Sequence, residues 1–140
     1  MTTQAPSTDP SELTTGPSPD DTVVLYHNAN CSKSRAALDY LTDLTTQRGL
    51  TLRVTPYLEQ ALSADDLQRL LQQLPNPPTD LVRKDANFEA LKLDPEAYAS
   101  EAAVIAVLLE HPKLMQRPIA VYNNQARIGR PTDALEHLFS

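Results

Sequence analysis

Residues 22–49 read TVVLYHNANCSKSRAALDYLTDLTTQRG and decide how the fold begins. The first six residues are mostly β-branched, aliphatic or aromatic, which is typical of a buried strand. From about Ser32 onward, apolar side chains recur at helical spacing, and Gly49 stands where a C-terminal helix cap belongs. Those apolar residues are Leu38, Leu41 and Leu44. The stretch therefore predicts a strand, a tight turn containing Cys31, and a helix.

The next segment predicts a second strand and a second helix. Residues 50–57, LTLRVTPY, alternate apolar and polar side chains, and the intervening helix indicates that this strand runs parallel to the first. Ser63 followed by Asp66 is typical of a helix start with a capping box. A stripe of leucines then follows at helical spacing: Leu67, Leu70, Leu71 and Leu74. The proline-rich segment 75–80 ends this helix.

The middle of the chain is expected to be helical. Residues 80–98 are weakly patterned and predict only short helical turns. Ser100 is expected to cap a helix from Glu101 to about Glu110, ended by a His-Pro pair. The run AAVIAVLL at 102–109 would also suit a strand, but its alanines and the preceding cap favour a helix.

The C-terminal part predicts a hairpin and a last helix. The residues IAVY at 119–122 follow Pro118 and read as a strand, NNQ as the turn, and ARIG at 126–129 as the return strand. Pro131 is expected at the first position of a final helix. That helix would carry Leu135, Leu138 and Phe139.

The element order is β-α-β, an all-helical middle, then β-β-α. This order predicts an α/β fold with a thioredoxin-like mixed β-sheet and an all-helical insertion in the middle of the chain. The domain would span residues 22–140. Residues 1–21 form an acidic segment rich in Pro, Ser and Thr without Lys or Arg, which predicts a disordered tail.

Composition excludes several classes of function. The net charge is −6, and residues 22–140 carry 12 basic against 14 acidic groups, so no nucleic-acid footprint is present. The longest apolar run is far shorter than the roughly 18 residues of a membrane span, and no secretory signal is visible. One cysteine and three scattered histidines do not suit a metal site or an internal disulfide. We expect a cytoplasmic protein without a bound cofactor.

Cys31 is the candidate reactive residue. It lies between the predicted strand and helix, where free N–H groups and the helix dipole stabilise both a thiolate and a bound oxyanion. A lone cysteine is more often a small buried apolar residue. Its neighbours are polar, however, and suit an exposed site better than a core: Asn28, Asn30, Ser32, Lys33 and Ser34.

Spacing narrows the chemistry of this cysteine. Phosphatase-type loops need five residues between Cys and Arg, whereas only three separate Cys31 from Arg35. The motif C-x-x-S at residues 31–34 permits monothiol chemistry but provides no resolving cysteine. The cysteine is therefore neither a nucleophile of the C-x5-R type nor half of an internal dithiol.

Four segments together resemble the arsenate reductases that are coupled to glutathione and glutaredoxin, the ArsC-like branch of the thioredoxin-like superfamily. They are YHNANCSKSRAALDYL, LVRKDANFEAL, HPKLMQRPIAVYNNQARIGRP and the terminal helix. The resemblance runs from about residue 22 to the C-terminus. It implies reduction of arsenate to arsenite through a covalent cysteine–arsenic adduct.

The resemblance also implies roles for individual residues. Cys31 would be the nucleophile, His27 would help to lower its pKa, and Ser34 would donate a hydrogen bond to the thiolate. The oxyanion and its adduct would be held by Arg83, Arg117 and Arg130. Pro118 would be cis. Lys84 and Arg127 are interpreted as solvated neighbours, and Asn28, Lys33 and Arg35 as possible supporting residues.

The implied partners are arsenate or a similar oxyanion, glutathione as co-substrate, and glutaredoxin. Glutathione is needed because the chain holds no second cysteine. Two alternatives stay open. One is a redox-responsive regulator of the Spx-like type that binds RNA polymerase, although that branch carries C-x-x-C. The other is a monothiol oxidoreductase that acts with glutathione and needs no oxyanion.

Overall fold

A computed structural model describes residues 21–139 and contains a four-stranded mixed sheet. Its strands are β1 Thr22–His27, β2 Thr51–Pro56, β3 Ile119–Tyr122 and β4 Gln125–Ile128. The spatial order is β2, β1, β3, β4. β1 runs parallel to β2 and antiparallel to β3, and β3 is antiparallel to β4. The predicted α/β class with a mixed sheet is confirmed.

The α-helices follow the predicted order. They are α1 Ser32–Arg48, α2 Ala64–Gln73, α3 Ala86–Ala90 and α4 Glu101–Glu110. Short 3-10 helices lie at Pro78–Leu81, Pro95–Ala97, Pro112–Leu114 and Thr132–Leu138. The segment between β2 and β3 is thus largely helical, as predicted, and the run at 102–109 belongs to a helix rather than a strand.

The predicted helix caps are present. Gly49 has a left-handed φ of 69° after the last residue of α1, a conformation that costs glycine little. Ser63 Oγ accepts from the Asp66 N–H at 3.1 Å, and the Asp66 carboxylate accepts from the Ser63 N–H at 3.0 Å, which is a complete capping box. Ser100 Oγ accepts from the Ala103 N–H at 3.2 Å and starts α4. Each such cap contributes about 1 kcal/mol.

The two faces of the sheet bury different side chains. Val23 and Leu25 point from β1 toward α1 and the C-terminal 3-10 helix, with Ala37, Leu41, Ala120, Leu135 and Leu138 in the same cluster. Tyr26 packs on the opposite side, against a larger cluster supplied mainly by the helical insertion. Because side chains alternate along a strand, His27 continues the row of Val23 and Leu25 and faces α1. This alternation brings His27 to the helix that follows Cys31.

Three predictions at the C-terminal end need correction. Asn123 and Asn124 have φ values of 52° and 64° and form a two-residue hairpin loop, so the return strand begins at Gln125 rather than at 126. The final helix is 3-10: the Ala134 N–H donates to the Pro131 carbonyl, three residues earlier. Pro131 therefore precedes this helix instead of occupying its first position.

None of the helices within residues 21–139 is long and apolar enough to cross a membrane. No group of His, Cys, Asp and Glu in that range could hold a metal ion. The predicted disordered tail, residues 1–21, lies outside the described residues except for Asp21.

Candidate active site

Cys31 occupies the N-cap position of α1 in extended conformation, with φ −106° and ψ 122°. Its N–H donates to the Asn28 carbonyl at 3.0 Å, and its own carbonyl accepts from the Arg35 N–H at 3.0 Å. The turn is thereby closed on one side and joined to the helix on the other. The thiol is partly exposed and lies beside the unpaired N–H groups of the first helical turn.

Ser34 fixes the shape of this turn from inside. It is fully buried, and its Oγ accepts a hydrogen bond from the Asn28 N–H at 3.0 Å. His27 Nδ1 lies 2.7 Å from the same oxygen. Asn28 Oδ1 also accepts from the Asn30 N–H at 3.0 Å. The end of β1 and the start of α1 are therefore tied together through one hydroxyl.

Several groups lower the pKa of Cys31 below its ordinary value. Partial burial of the sulfur raises this pKa, but the backbone N–H of Ser34, the Arg117 guanidinium and the backbone N–H of Lys33 outweigh that effect. All three favour the anionic form by donating hydrogen bonds or contributing positive charge. The predicted activation of this thiol therefore has a physical cause in the helix N-terminus and a nearby arginine.

The pKa of His27 lies below its ordinary value. Burial lowers this pKa, the positive charge of Arg35 lowers it further, and a hydrogen bond with Ser34 acts in the opposite direction. These effects favour the neutral imidazole, which does not stabilise a thiolate as a cation would. In this structure His27 contacts the cysteine turn through the Ser34 hydroxyl.

The reactivity of Cys31 should report its lowered pKa. We expect the rate of alkylation by iodoacetamide to rise with pH and to reach half its maximum at a lower pH in the folded protein than in the same chain unfolded in urea. Because the folded pKa is the lower of the two, thiolate formation stabilises the fold above the unfolded pKa. This contribution is lost as the pH falls through the folded pKa. Equal midpoints in the two states would contradict the assignment.

Replacing Ser34 distinguishes a structural role of its hydroxyl in the turn from the implied role as a hydrogen-bond donor to the Cys31 thiolate. We expect Ser34→Ala to lower the free energy of unfolding in urea by about 1–3 kcal/mol, because the Asn28 N–H and the His27 ring lose their partner. The alkylation midpoint should change little, since the backbone N–H of residue 34 remains. Ser32→Ala, at an exposed neighbouring position, is the matched control. A large rise in the thiol pKa at unchanged stability would instead support the implied hydroxyl-to-thiolate bond.

Arg130 contacts the sulfur directly. Its Nη2 lies 3.6 Å from Cys31 Sγ, and its Nε donates to the Arg117 carbonyl at 2.7 Å. The preceding Gly129 packs closely: a Cβ there would lie 3.1 Å from a Pro118 side-chain atom and 3.2 Å from one of Leu135, so these side chains would have to shift to accept a larger residue. The Arg117–Pro118 peptide is cis, as the resemblance implied.

Arg117 is anchored through one end of its guanidinium. Nη1 donates to the carbonyls of Lys113 at 3.0 Å and Met115 at 3.3 Å. Nε is buried and has no hydrogen-bond partner among the described residues. The positive charge and N–H groups of Arg117 help to lower the pKa of the Cys31 thiol.

Arg83 joins the group from the helical insertion. The Arg83 N–H donates to the Leu114 carbonyl at 2.7 Å, next to an antiparallel bridge between Val82 and Met115. Its Nε lies 3.5 Å from an Asp85 carboxylate oxygen. Burial lowers the pKa of Arg130, and the charges of Arg83 and Arg117 lower it further, whereas the Cys31 thiolate acts in the opposite direction.

A cleft of about 630 Å³ opens beside these arginines. Arg83 and Arg130 line it together with Lys84 and Arg127. Its two acidic groups already have partners, Asn76 for Asp80 and Arg83 for Asp85. Four basic against two acidic residues give the lining a net positive charge, and Arg130 also contacts the sulfur of Cys31.

His27 and Ser34 bond to each other at the two ends of the Cys31 turn. Arg130 contacts the sulfur and the Arg117 carbonyl, and it lines the cleft together with Arg83. Lys84 and Arg127, interpreted from the sequence as solvated neighbours, line the cleft. Sequence reasoning missed Tyr57, whose buried hydroxyl has no hydrogen-bond partner among residues 21–139. A signal was available, because Tyr57 directly follows β2, and the carboxyl ends of parallel strands meet at one edge of a sheet.

Comparisons with known proteins find relatives of this chain both by sequence and by structure. The family model described as the ArsC family matches residues 26–138. The uncharacterized protein YfgD of Escherichia coli K12 is 41% identical over 79% of this chain and 91% of its own length. An arsenate reductase of Haemophilus influenzae is 33% identical over 81% of this chain and 95% of its own length. The structure of an arsenate reductase from Vibrio cholerae has a TM-score of 0.71 at 40% identity and covers 84% of this chain and 97% of its own.

Proposed function

Because this chain belongs to the ArsC family, we propose that it reduces arsenate to arsenite with Cys31 as the nucleophile. The observation that carries the proposal is the surroundings of the sulfur. Cys31 is partly exposed, has a lowered pKa and lies 3.6 Å from a guanidinium nitrogen of Arg130. A thiolate that faces an arginine suits attack on a tetrahedral anion.

The arginines meet the main electrostatic demand of this reaction. Arsenate is an anion at neutral pH, so a thiolate that approaches it brings two negative charges together. Guanidinium groups neutralise both charges, and their forked N–H groups match pairs of oxygen atoms. Arg130 and Arg117 act next to the sulfur, and Arg83 adds a third positive charge beside Arg130.

The reaction proceeds in three balanced steps. The Cys31 thiolate bonds to arsenic and displaces one oxygen, which leaves as water after protonation. Glutathione then attacks the Cys31 sulfur of the adduct, and the sulfur–arsenic bond breaks with its electron pair remaining on arsenic. A Cys31–glutathione disulfide forms, and arsenic leaves as arsenite, with the glutathione thiol proton on one of its three oxygens. The two thiols supply the two electrons that reduce arsenic(V) to arsenic(III). A glutaredoxin thiol finally attacks the mixed disulfide and releases Cys31.

Two features support glutathione as the second thiol. The chain has a single cysteine, so the attacking thiol must come from another molecule. The cleft of about 630 Å³ is large enough for a small ligand, and its positive charge suits the two carboxylates of glutathione. The cytoplasm is the fitting compartment, because glutathione keeps thiols reduced there.

The test is arsenate-dependent consumption of NADPH in the presence of glutathione, glutaredoxin and glutathione reductase. We expect turnover that requires arsenate and all three thiol components. Consumption that continues without any oxyanion, on a glutathionylated substrate, would instead favour a monothiol oxidoreductase. Binding of RNA polymerase without arsenate turnover would favour a regulator of the Spx-like type.

A further inference from the structure

Tyr57 brings a buried hydroxyl to the end of the sheet that carries Cys31. His27 at the end of β1 pairs with Pro56 at the end of β2, so Tyr57 lies beside Asn28 at the start of the cysteine turn. On the other side, β3 pairs antiparallel with β1, with Tyr26 opposite Ile119. Arg117, two residues before Ile119, therefore flanks the same end of β1.

The hydroxyl of Tyr57 has no hydrogen-bond partner among residues 21–139. The side chain is 2% exposed, and its ring belongs to the apolar cluster that includes Leu67, Leu108 and Met115. An unpaired buried hydroxyl costs about 1–3 kcal/mol, so folded proteins rarely retain one without a use. The other buried side-chain polar atom without a partner in the described residues is Arg117 Nε.

The charges that act on the Tyr57 hydroxyl agree with its position at the end of the sheet that carries Cys31. Burial raises the pKa of Tyr57, and the charge of Arg117 lowers it, whereas that of the Cys31 thiolate raises it again. The Asn28 amide lies close enough to favour the phenolate, although no hydrogen bond of ordinary geometry forms. The Tyr57 hydroxyl and Arg117 Nε, both without a hydrogen-bond partner among the described residues, therefore belong to residues that flank the same end of β1, next to the Cys31 turn.

We infer that the Tyr57 hydroxyl is an oxyanion donor, which hydrogen-bonds together with Arg117 Nε to an oxygen of the tetrahedral anion bound at Cys31. This inference rests on the proposed function for the identity of the anion. The apolar packing of the ring holds the hydroxyl in place before the anion arrives, so little ordering is required on binding. Tyr57 would then distinguish an oxyanion from other electrophiles that reach the thiol.

Tyr57→Phe tests the inference because it removes the hydroxyl and keeps the ring. Without anion, the variant should unfold at the same temperature as the wild type or higher, since an unpaired buried donor is lost. Its affinity for arsenate, measured as protection of Cys31 from iodoacetamide, should fall between about tenfold and a hundredfold. Tyr98→Phe, in the helical insertion against Phe88, is the matched control and should change neither quantity.

The outcomes separate this inference from the proposed function. If arsenate protects the wild type and Tyr57→Phe equally, or if Tyr57→Phe only lowers stability, the hydroxyl is structural and the inference is overturned. If protection falls as expected but the wild type does not turn arsenate over, the donor stands and the proposed reaction fails. If arsenate protects neither protein, both are overturned.

Discussion

Cys31→Ser is expected to reduce arsenate-dependent NADPH consumption at least about a thousandfold, to the level measured without the protein. A serine hydroxyl is almost entirely protonated at neutral pH and is a far poorer nucleophile toward arsenic than a thiolate. It also cannot form the disulfide that delivers the two electrons. The coupled assay with glutathione and glutaredoxin measures the loss directly.

The control for this variant must show that the turn survives. Cys31 contributes its N–H and carbonyl to the turn through the backbone, and both groups remain in serine. Thermal unfolding should therefore be nearly unchanged, and Ser32→Ala, which alters the exposed neighbour, should keep full activity. Substantial arsenate reduction by Cys31→Ser would show that another group carries the reaction.

Local chemistry explains why most elements were predictable from the sequence. Ser63, Asp66 and Ser100 cap their helices with side chains that bond only three residues away. The β-branched, aliphatic and aromatic residues of β1 and the leucine stripe of α2 supply the side chains that these two elements bury. Such features depend on neighbours in the chain, so the residues alone carry the information.

The errors lie where the local pattern leaves the geometry open. The asparagine pair marked a hairpin, but only the left-handed conformation of both residues shows that the loop ends before Gln125. The last segment has apolar residues at helical spacing, which cannot distinguish a 3-10 helix from an α-helix over seven residues.

The sequence names candidate site residues but not the contacts that they make. The resemblance named Ser34 as a donor to the thiolate, whereas the structure places its hydroxyl on His27 and the Asn28 N–H. Tyr57 went unnoticed because two properties single it out: the register between β1 and β2, and a buried hydroxyl without a partner among residues 21–139. Neither property is written in a short motif.

Arg117→Ala and Arg127→Ala form a matched pair, each removing one arginine near the same strands. We expect Arg117→Ala to lower kcat/KM for arsenate about a hundredfold, with much of the loss in KM. Arg117 helps to stabilise the Cys31 thiolate and holds an unpaired buried Nε toward which an oxyanion can bind. Loss of one such donor costs about 10²–10³ in rate in comparable oxyanion sites.

Arg127→Ala should leave kcat/KM for arsenate within about threefold of the wild type, because the Arg127 guanidinium bonds to the Ala126 carbonyl and is not among the groups that lower the pKa of Cys31. It lines the positively charged cleft, so we expect its loss to raise the KM for glutathione several-fold instead. Steady-state kinetics with each substrate varied in turn would measure both effects. For Arg117→Ala, thermal unfolding would check that the hydrogen bonds from Arg117 to the carbonyls of Lys113 and Met115 are dispensable for folding. If both variants lost kcat/KM for arsenate equally, the arginines would supply only a general positive field. Specific oxyanion binding requires a larger loss of kcat/KM in Arg117→Ala than in Arg127→Ala.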